Sequence, residues 1–319
     1  MRILCDLGGT HIRFGSSGPA GTVQAAMKFP AADFAGFADA VAHYAALQGL
    51  PVSTEILIAA TGTLSRPWPV ESAALKKERG INIIADVSDF EAAAWGAPHL
   101  RGDQLITVRE GPENTKDPRL ILGPGTGLGL AYMLPEKNGQ WRIQKTHGGH
   151  MQAALLSEEH LLLAALMTRL KGTDHTIIYE NFCSGRGLPV LYRAVCQMLG
   201  EPAAEISSAE DLLKLDMTPA LQTSLRVFHE MLGVFAHSCV VTINAYGGVY
   251  LDGGMVQRLR ERDLFDAETV LRFMTLDPVA TVRADLDRTP VWMINDPFIA
   301  MRGLAFMDLA GTFSSPSGA

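Results

Sequence analysis

The sequence has no apolar run approaching the roughly 20 residues needed to cross a bilayer, so no membrane span is expected. It has no paired cysteines. Cys5, Cys183, Cys196 and Cys239 are scattered, which argues against a disulfide frame or a cysteine zinc site and fits reduced thiols in a cytoplasmic protein. It has no basic excess either. The 27 Lys and Arg against 34 Asp and Glu give a formal charge of −7. That balance disfavours nucleic acid or an anionic membrane as the main partner, but leaves room for a phosphate ligand held locally. No leader is expected, because Met1-Arg2-Ile3-Leu4-Cys5-Asp6 passes straight into a strand.

What is present is enough for a sizeable core. The chain has 319 residues, 47% hydrophobic and 19% charged, which suits one large domain or two of moderate size. Strands are expected at Arg2–Leu7, Ile12–Gly15, Glu55–Ala60, Ile81–Ala85, Leu105–Val108, Leu120–Leu122, Leu130–Leu134, Trp141–Ile143, Gly247–Leu251 and Val291–Ile294. Periodicity and end signals predict helices over Phe34–Leu47, Val70–Lys77, Glu91–Trp95, Ser157–Leu170, Val190–Leu199, Ala209–Leu215, Pro219–Val240, Leu264–Met274 and Phe298–Leu309, with one starting at Val256. Glu110–Pro118 is polar and rich in turn formers, a candidate boundary. The Thr312–Ala319 tail is expected to be disordered.

Two strand–turn–strand units open the two halves. In the first, Asp6-Leu7 leads into Gly8-Gly9-Thr10 and a returning strand. Its backbone N–H groups and the Thr10 hydroxyl suit an anion, although a plain tight hairpin also needs such glycines. Asp6, close to a buried strand, needs a partner, and a hydrated Mg²⁺ would serve. In the second half, Gly123-Pro124-Gly125-Thr126-Gly127-Leu128-Gly129 lies between apolar strands. No Gly-Lys-Ser/Thr follows it, so it is not a phosphate loop, and a strand rather than a helix comes next, which disfavours a dinucleotide fingerprint. So much glycine there points to close backbone approach to something. The repeated unit suggests a duplicated fold with a ligand clamped between the copies.

Ser88-Asp89-Phe90-Glu91-Ala92 follows a strand and opens a helix. A carboxylate there sits where open α/β sheets build active sites, while an ordinary helix cap accounts for the residues equally. His147-Gly148-Gly149-His150 reads as a ligand-facing loop rather than a metal site. Gly253-Gly254, at a strand end before a helix, either admits a flat ring or serves helix packing.

In this order and at these spacings, the motifs resemble bacterial ATP-dependent glucokinases of the hexokinase–actin–Hsp70 ATPase superfamily. The resemblance covers nearly the whole chain. It implies an α/β fold of two actin-like, ribonuclease H-like domains, each a mixed sheet flanked by helices, with a cleft between. Residues 1–109 plus 297–319 would form the small domain and 110–296 the large one, hinged near 110–118 and 295–297. Asp6, Gly8, Gly9 and Thr10 resemble the first phosphate motif, Gly125, Thr126 and Gly127 the second, and Gly253 and Gly254 the adenosine motif. Asp89 resembles the catalytic base of Asn-Asp-Phe-x-Ala. Ser88, Asp89, Gly127, His147, His150 and Glu180 are the implied sugar-binding residues.

The implied reaction moves the γ-phosphoryl group of ATP to the 6-hydroxyl of glucose. Asp89 takes the hydroxyl proton, and Asp6 holds Mg²⁺ through water. Asp86 is the nearby rival to Asp89. A homodimer in the cytoplasm is implied by the relatives. Three positions depart from the pattern: Ser88 and His11 stand where the family has asparagine, and His147 where it has glutamate. Ser88 and His147 keep open a kinase for another hexose or a hexosamine. A non-catalytic sugar-binding relative is the second alternative.

Overall fold

β1 (Ile3–Leu7) is the strand around which the first sheet forms. It pairs antiparallel with β2 (His11–Ser17), which pairs antiparallel with β3 (Val23–Pro30). On its other side it pairs parallel with β4 (Glu55–Ala60), and β4 with β5 (Asn82–Ser88). The order is β3-β2-β1-β4-β5. The computed structural model describes residues 2–51, 55–60, 66–112, 114, 116–172 and 176–310. The expectation for Thr312–Ala319 lies outside them.

Alternation along β1 sends Ile3, Cys5 and Leu7 to one face and Leu4 and Asp6 to the other. Ile3, Cys5 and Leu7 join Ile56, Ile58, Phe14 and the Phe37, Val41 and Tyr44 side chains of α1 (Phe37–Leu47) in one core. Leu4 and Leu57 join a second core with Ala92 of α3 (Asp89–Gly96) and Met301, Leu304 and Ala305 of α12 (Ile299–Ala310). Burial on both faces is why β4 reads as an unbroken apolar run. The crossing of α3 and α12 is backbone on backbone. A Cβ on Gly303 would lie 1.6 Å from the Ala92 carbonyl oxygen, and one on Gly96 would lie 2.9 Å from Ile299 Cδ1. α2 (Ser72–Arg79) completes this half and ends on Gly80 in the left-handed conformation.

The second sheet has the order β6-β11-β10-β7-β8-β9. Its strands are β6 (Leu105–Arg109), β7 (Arg119–Pro124), β8 (Leu128–Pro135), β9 (Trp141–Lys145), β10 (Gly248–Leu251) and β11 (Val291–Ile294). β7 pairs antiparallel with β8 and parallel with β10, and β10 runs parallel to β11. Read as β9-β8-β7-β10-β11, this repeats the first sheet's order, so the expected duplication is real at the level of topology.

The helices of this half are α4 (Glu158–Lys171), α5 (Tyr179–Phe182), α6 (Leu188–Leu199), α7 (Ala209–Leu212), α8 (Pro219–Ile243), α9 (Gly254–Glu261), α10 (Ala267–Met274) and α11 (Ala280–Arg288). α8 is the core helix, capped by the Thr218 hydroxyl, which accepts the Leu221 N–H at 3.2 Å. Asn244 ends it in the left-handed conformation. Contacts divide the chain into two units, one of Met1–Leu105, Ile143–Lys145 and Asn295–Ala319, the other of Ile106–Arg142 and Thr146–Ile294.

Several boundaries differ from expectation. β5 runs on to Ser88 rather than ending at Ala85, so α3 starts at Asp89 instead of Glu91. The helix expected from Phe34 starts at Phe37, after a tight turn at Ala31–Asp33. The helix expected from Leu264 starts at Ala267, because the Asp266 carboxylate accepts the Thr269 N–H at 2.9 Å and caps it. α7 stops at Leu212, and α9 starts at Gly254 rather than Val256. β3 and α11 were not expected at all. β3 buries none of its residues and α11 buries only Leu286, so neither carries a readable apolar pattern.

Replacing Gly303 by alanine forces a methyl onto the Ala92 carbonyl, and overpacking of this kind typically costs about 1–3 kcal/mol. Thermal melting should show a lower Tm for Gly303→Ala. Gly36→Ala, where nothing lies within 4 Å of the added Cβ, should melt within experimental scatter of the parent.

Candidate active site

In the first unit, strand register builds the site. Leu7 pairs with Ala60, and Ala60 with Ser88. The carboxyl ends of three parallel strands are therefore level. Neighbouring strands are about 4.8 Å apart, so the Gly8 turn and Asp89 stand two spacings apart, roughly 10 Å. Carboxyl ends of parallel strands are where such sheets bind ligands.

The Gly8 N–H donates to the His11 carbonyl at 3.0 Å and closes the hairpin. A Cβ on Gly8 would meet that same carbonyl at 3.0 Å. Gly9 and Thr10 at the tip are exposed, and the Thr10 hydroxyl lies 3.1 Å from His11 Nδ1. The His11 imidazole is pushed down, by burial first and then by Lys28 and Arg13. Thr61-Gly62-Thr63 lies outside the described residues.

Asp6 has a protein partner that the sequence reading did not name. Arg13, its cross-strand neighbour, donates to Asp6 Oδ2 at 2.6 Å. Burial pushes the Asp6 carboxyl up, and the Arg13 charge opposes it. Among the described residues no group of three or more His, Cys, Asp or Glu is placed to ligate a metal directly. Asp6, with Oδ2 on Arg13, fits a role through water and not a coordination cage.

At the end of β5, the Ser88 hydroxyl accepts the Glu91 N–H at 3.1 Å and caps α3. Asp89 Oδ1 accepts the Phe90 N–H at 2.9 Å. The first turn of a helix favours a negative charge. Asp86 is engaged elsewhere: Arg66 grips both its oxygens at 2.9 Å. The α3–α12 packing holds the helix that presents Asp89.

The second unit repeats the plan with tighter turns. The Gly125 N–H donates to the Gly127 carbonyl at 2.8 Å, closing the turn between β7 and β8. Behind it, a Cβ on Gly123 would lie 1.6 Å from the Asp252 carbonyl, and one on Gly253 would lie 2.5 Å from the Pro124 carbonyl. Gly253 also has φ +105°, a conformation that suits glycine. The Gly253-Gly254 turn therefore lies flat against the β7 turn.

The loop after α5 fixes the other side. The Gly185 N–H donates to the Gly125 carbonyl at 2.9 Å, and the Arg186 N–H to the Thr126 carbonyl at 3.4 Å. Glu180 Oε2 accepts the Leu128 N–H at 3.1 Å and lies 3.8 Å from His150 Nε2. A Cβ on Gly127 would lie 2.6 Å from that same oxygen. Gly149 packs on the Leu128 carbonyl and Gly148 on the Leu130 side chain, which lays the His147–His150 loop along β8. The two histidine rings are 6.1 Å apart and both residues are exposed.

The structure thus groups Asp6, Gly8, Gly9, Thr10, Ser88 and Asp89 in one unit. It groups Gly125, Thr126, Gly127, His147, His150, Glu180, Gly253 and Gly254 in the other. Sequence reasoning missed Arg13, Arg66, Arg186 and Arg258, arginines that lie against these elements. Arg13 was open to inference, because a hairpin turn from residue 8 brings residues 6 and 13 face to face.

A glucokinase family model matches residues 3–310. A glucokinase of Paramagnetospirillum magneticum is 30% identical over 333 residues, spanning 100% of this chain and 99% of the relative. One of Pseudomonas aeruginosa is 32% identical over 312 residues, 92% of this chain and 90% of the relative. Among solved structures, the glucokinase of an Antarctic psychrotroph has a TM-score of 0.78 at 22% identity, covering 95% of this chain and 97% of that one. The glucokinase of Balamuthia mandrillaris in complex with glucose has a TM-score of 0.73 at 17% identity, covering 96% and 92%. At these identities the structural likeness concerns the fold, which is the actin-like α/β fold expected. With the family match running almost end to end, the chain belongs to the glucokinase family.

Proposed function

We propose that the chain catalyses ATP-dependent phosphorylation of glucose at its 6-hydroxyl, with Asp89 as the general base. The observation that carries the assignment is the level register of Leu7, Ala60 and Ser88. It presents Asp89 at the same sheet end as the Gly8-Gly9-Thr10 turn. The turns at Gly8–Thr10 and Gly125–Gly127 offer backbone N–H groups to phosphate oxygens. The Gly253-Gly254 turn faces the adenosine moiety: Gly253 packs on the Pro124 carbonyl, and Gly254, whose added Cβ would meet only Arg258 at 3.6 Å, leaves the space. Glu180, His147, His150 and Ser88 address the sugar hydroxyls, and a carboxylate such as Glu180 is the strongest acceptor among them.

In the reaction the 6-oxygen of glucose attacks the γ-phosphorus in line. A new P–O bond forms, the bond to the β-γ bridging oxygen breaks, ADP leaves with the pair, and the hydroxyl proton passes to Asp89. Mg²⁺ supplies charge neutralisation on the phosphates when bound, and Asp6 is suited to hold one of its waters. Four free buried thiols suit work in the cytoplasm.

Two substitutions test the roles. General-base help is typically worth roughly 10²–10⁴-fold. Asp89→Asn should lower kcat by that order in a coupled assay with ATP and glucose, with an unchanged melting curve, while Asp86→Asn keeps a kcat near the parent's. Wild-type turnover by Asp89→Asn would remove Asp89 from the mechanism. Gly127→Ala places a methyl against Glu180 Oε2, so it should raise the KM for glucose more than the KM for ATP. A rise in the ATP KM alone would contradict the sugar role of Glu180.

A further inference from the structure

Phosphoryl transfer loads negative charge on the oxygens of the moving group, and enzymes meet it with placed cations. The Gly-rich turn of the second unit has no lysine of its own. It has an arginine laid across it from another loop. We propose that the Arg186 guanidinium binds the γ-phosphoryl group of ATP and stabilises its charge during transfer; this rests on the kinase reading above.

The placement of Arg186 carries the inference. Its Nε donates to the Thr126 carbonyl at 3.3 Å, so the guanidinium is anchored on the phosphate turn. Its Nη2 lies 3.7 Å from where a Cβ on Gly127 would stand. Glu180 Oε2 lies 2.6 Å from that same point. Gly127 thus has the candidate sugar carboxylate and a cation on hand together, and the γ-phosphoryl group has to travel from the turn to the sugar.

Arg186 is exposed. Glu180, the acid near it, accepts the Leu128 N–H through Oε2 and lies 3.8 Å from His150 Nε2. A guanidinium with one N–H on a carbonyl keeps its Nη donors for a phosphate, which it can meet with two parallel bonds. A purely structural role does not need the side chain. The backbone bonds from Gly185 to Gly125 and from Arg186 to Thr126 already join the two loops, and Gly187 is held by the Ser184 hydroxyl at 2.9 Å.

The test compares the parent with Arg186→Ala and Arg186→Lys. Two readouts are taken: kcat/KM for ATP at saturating glucose, and calorimetric binding of ATP and of AMP without sugar. Losing one placed donor to a developing charge commonly costs on the order of 10²-fold in rate. Arg186→Ala should lose about that much in kcat/KM for ATP and should bind ATP more weakly, while AMP binding stays at the parent's level. Arg186→Lys, a point charge without the fork, should recover part of the loss, and free guanidinium ion should partly rescue Arg186→Ala. Unchanged kcat/KM for ATP in Arg186→Ala would overturn the proposal, and so would equal weakening of ATP and AMP, the mark of a collapsed loop. A parent with no turnover on any hexose would retire the kinase reading instead, and the ATP-to-AMP binding ratio would then decide the role of Arg186.

Discussion

The second unit depends on backbone touching backbone at the ends of its strands. The Asp252 carbonyl sits where a side chain on Gly123 would begin, the Pro124 carbonyl where one on Gly253 would begin, and the Asn181 carbonyl where one on Gly187 would begin. The first two contacts join the same two strand ends, those of β7 and β10, and the third folds the loop after α5 back on that helix. With side chains between them, the turns would stand apart, and Glu180, Arg186 and the Gly125–Gly127 N–H groups would not share one neighbourhood. On the proposed reading, glycine there lets backbone dipoles meet the phosphates in a turn that has no lysine of its own.

The first unit reaches a similar end by register and helix packing. Three level strand ends set the Gly8 turn and Asp89 on one rim, and the contact of Gly303 with Ala92 holds α3 against α12. Its charges are settled in pairs. Arg13 holds Asp6, and Arg66 holds Asp86. The Arg66 fork occupies both oxygens of Asp86, while Asp89 stands at the start of α3.

Much of this was legible in the sequence, for physical reasons. Buried parallel strands such as Glu55–Ala60 are continuous apolar runs and declare themselves. The Gly-rich hairpin turns do so too, because glycine clustered between apolar strands weakens them unless a backbone has to come close. The helix start at Ser157 follows from side-chain chemistry, since its hydroxyl accepts the His160 N–H at 3.1 Å. What stayed hidden depends on partners. β3 is held by β2 rather than by its own pattern, and α11 buries a single leucine. The end of β5 could not be fixed because Ala85-Asp86-Val87 carries no end signal, and only pairing with Ala59 and Ala60 extends it to Ser88. Ser88 proves to be a helix cap, and that cap is compatible with the base proposed at Asp89. Arg186 was invisible because its meaning lies in the Thr126 carbonyl, 60 residues away in sequence.

The central claim is that the phosphoryl group goes to a sugar hydroxyl and not to water. Phosphorus NMR of the protein with ATP, Mg²⁺ and glucose tests it most directly. The account predicts one glucose 6-phosphate formed per ADP, with almost no inorganic phosphate, and no ADP when glucose is left out. ATP consumed to ADP and inorganic phosphate at the same rate with and without glucose would contradict it.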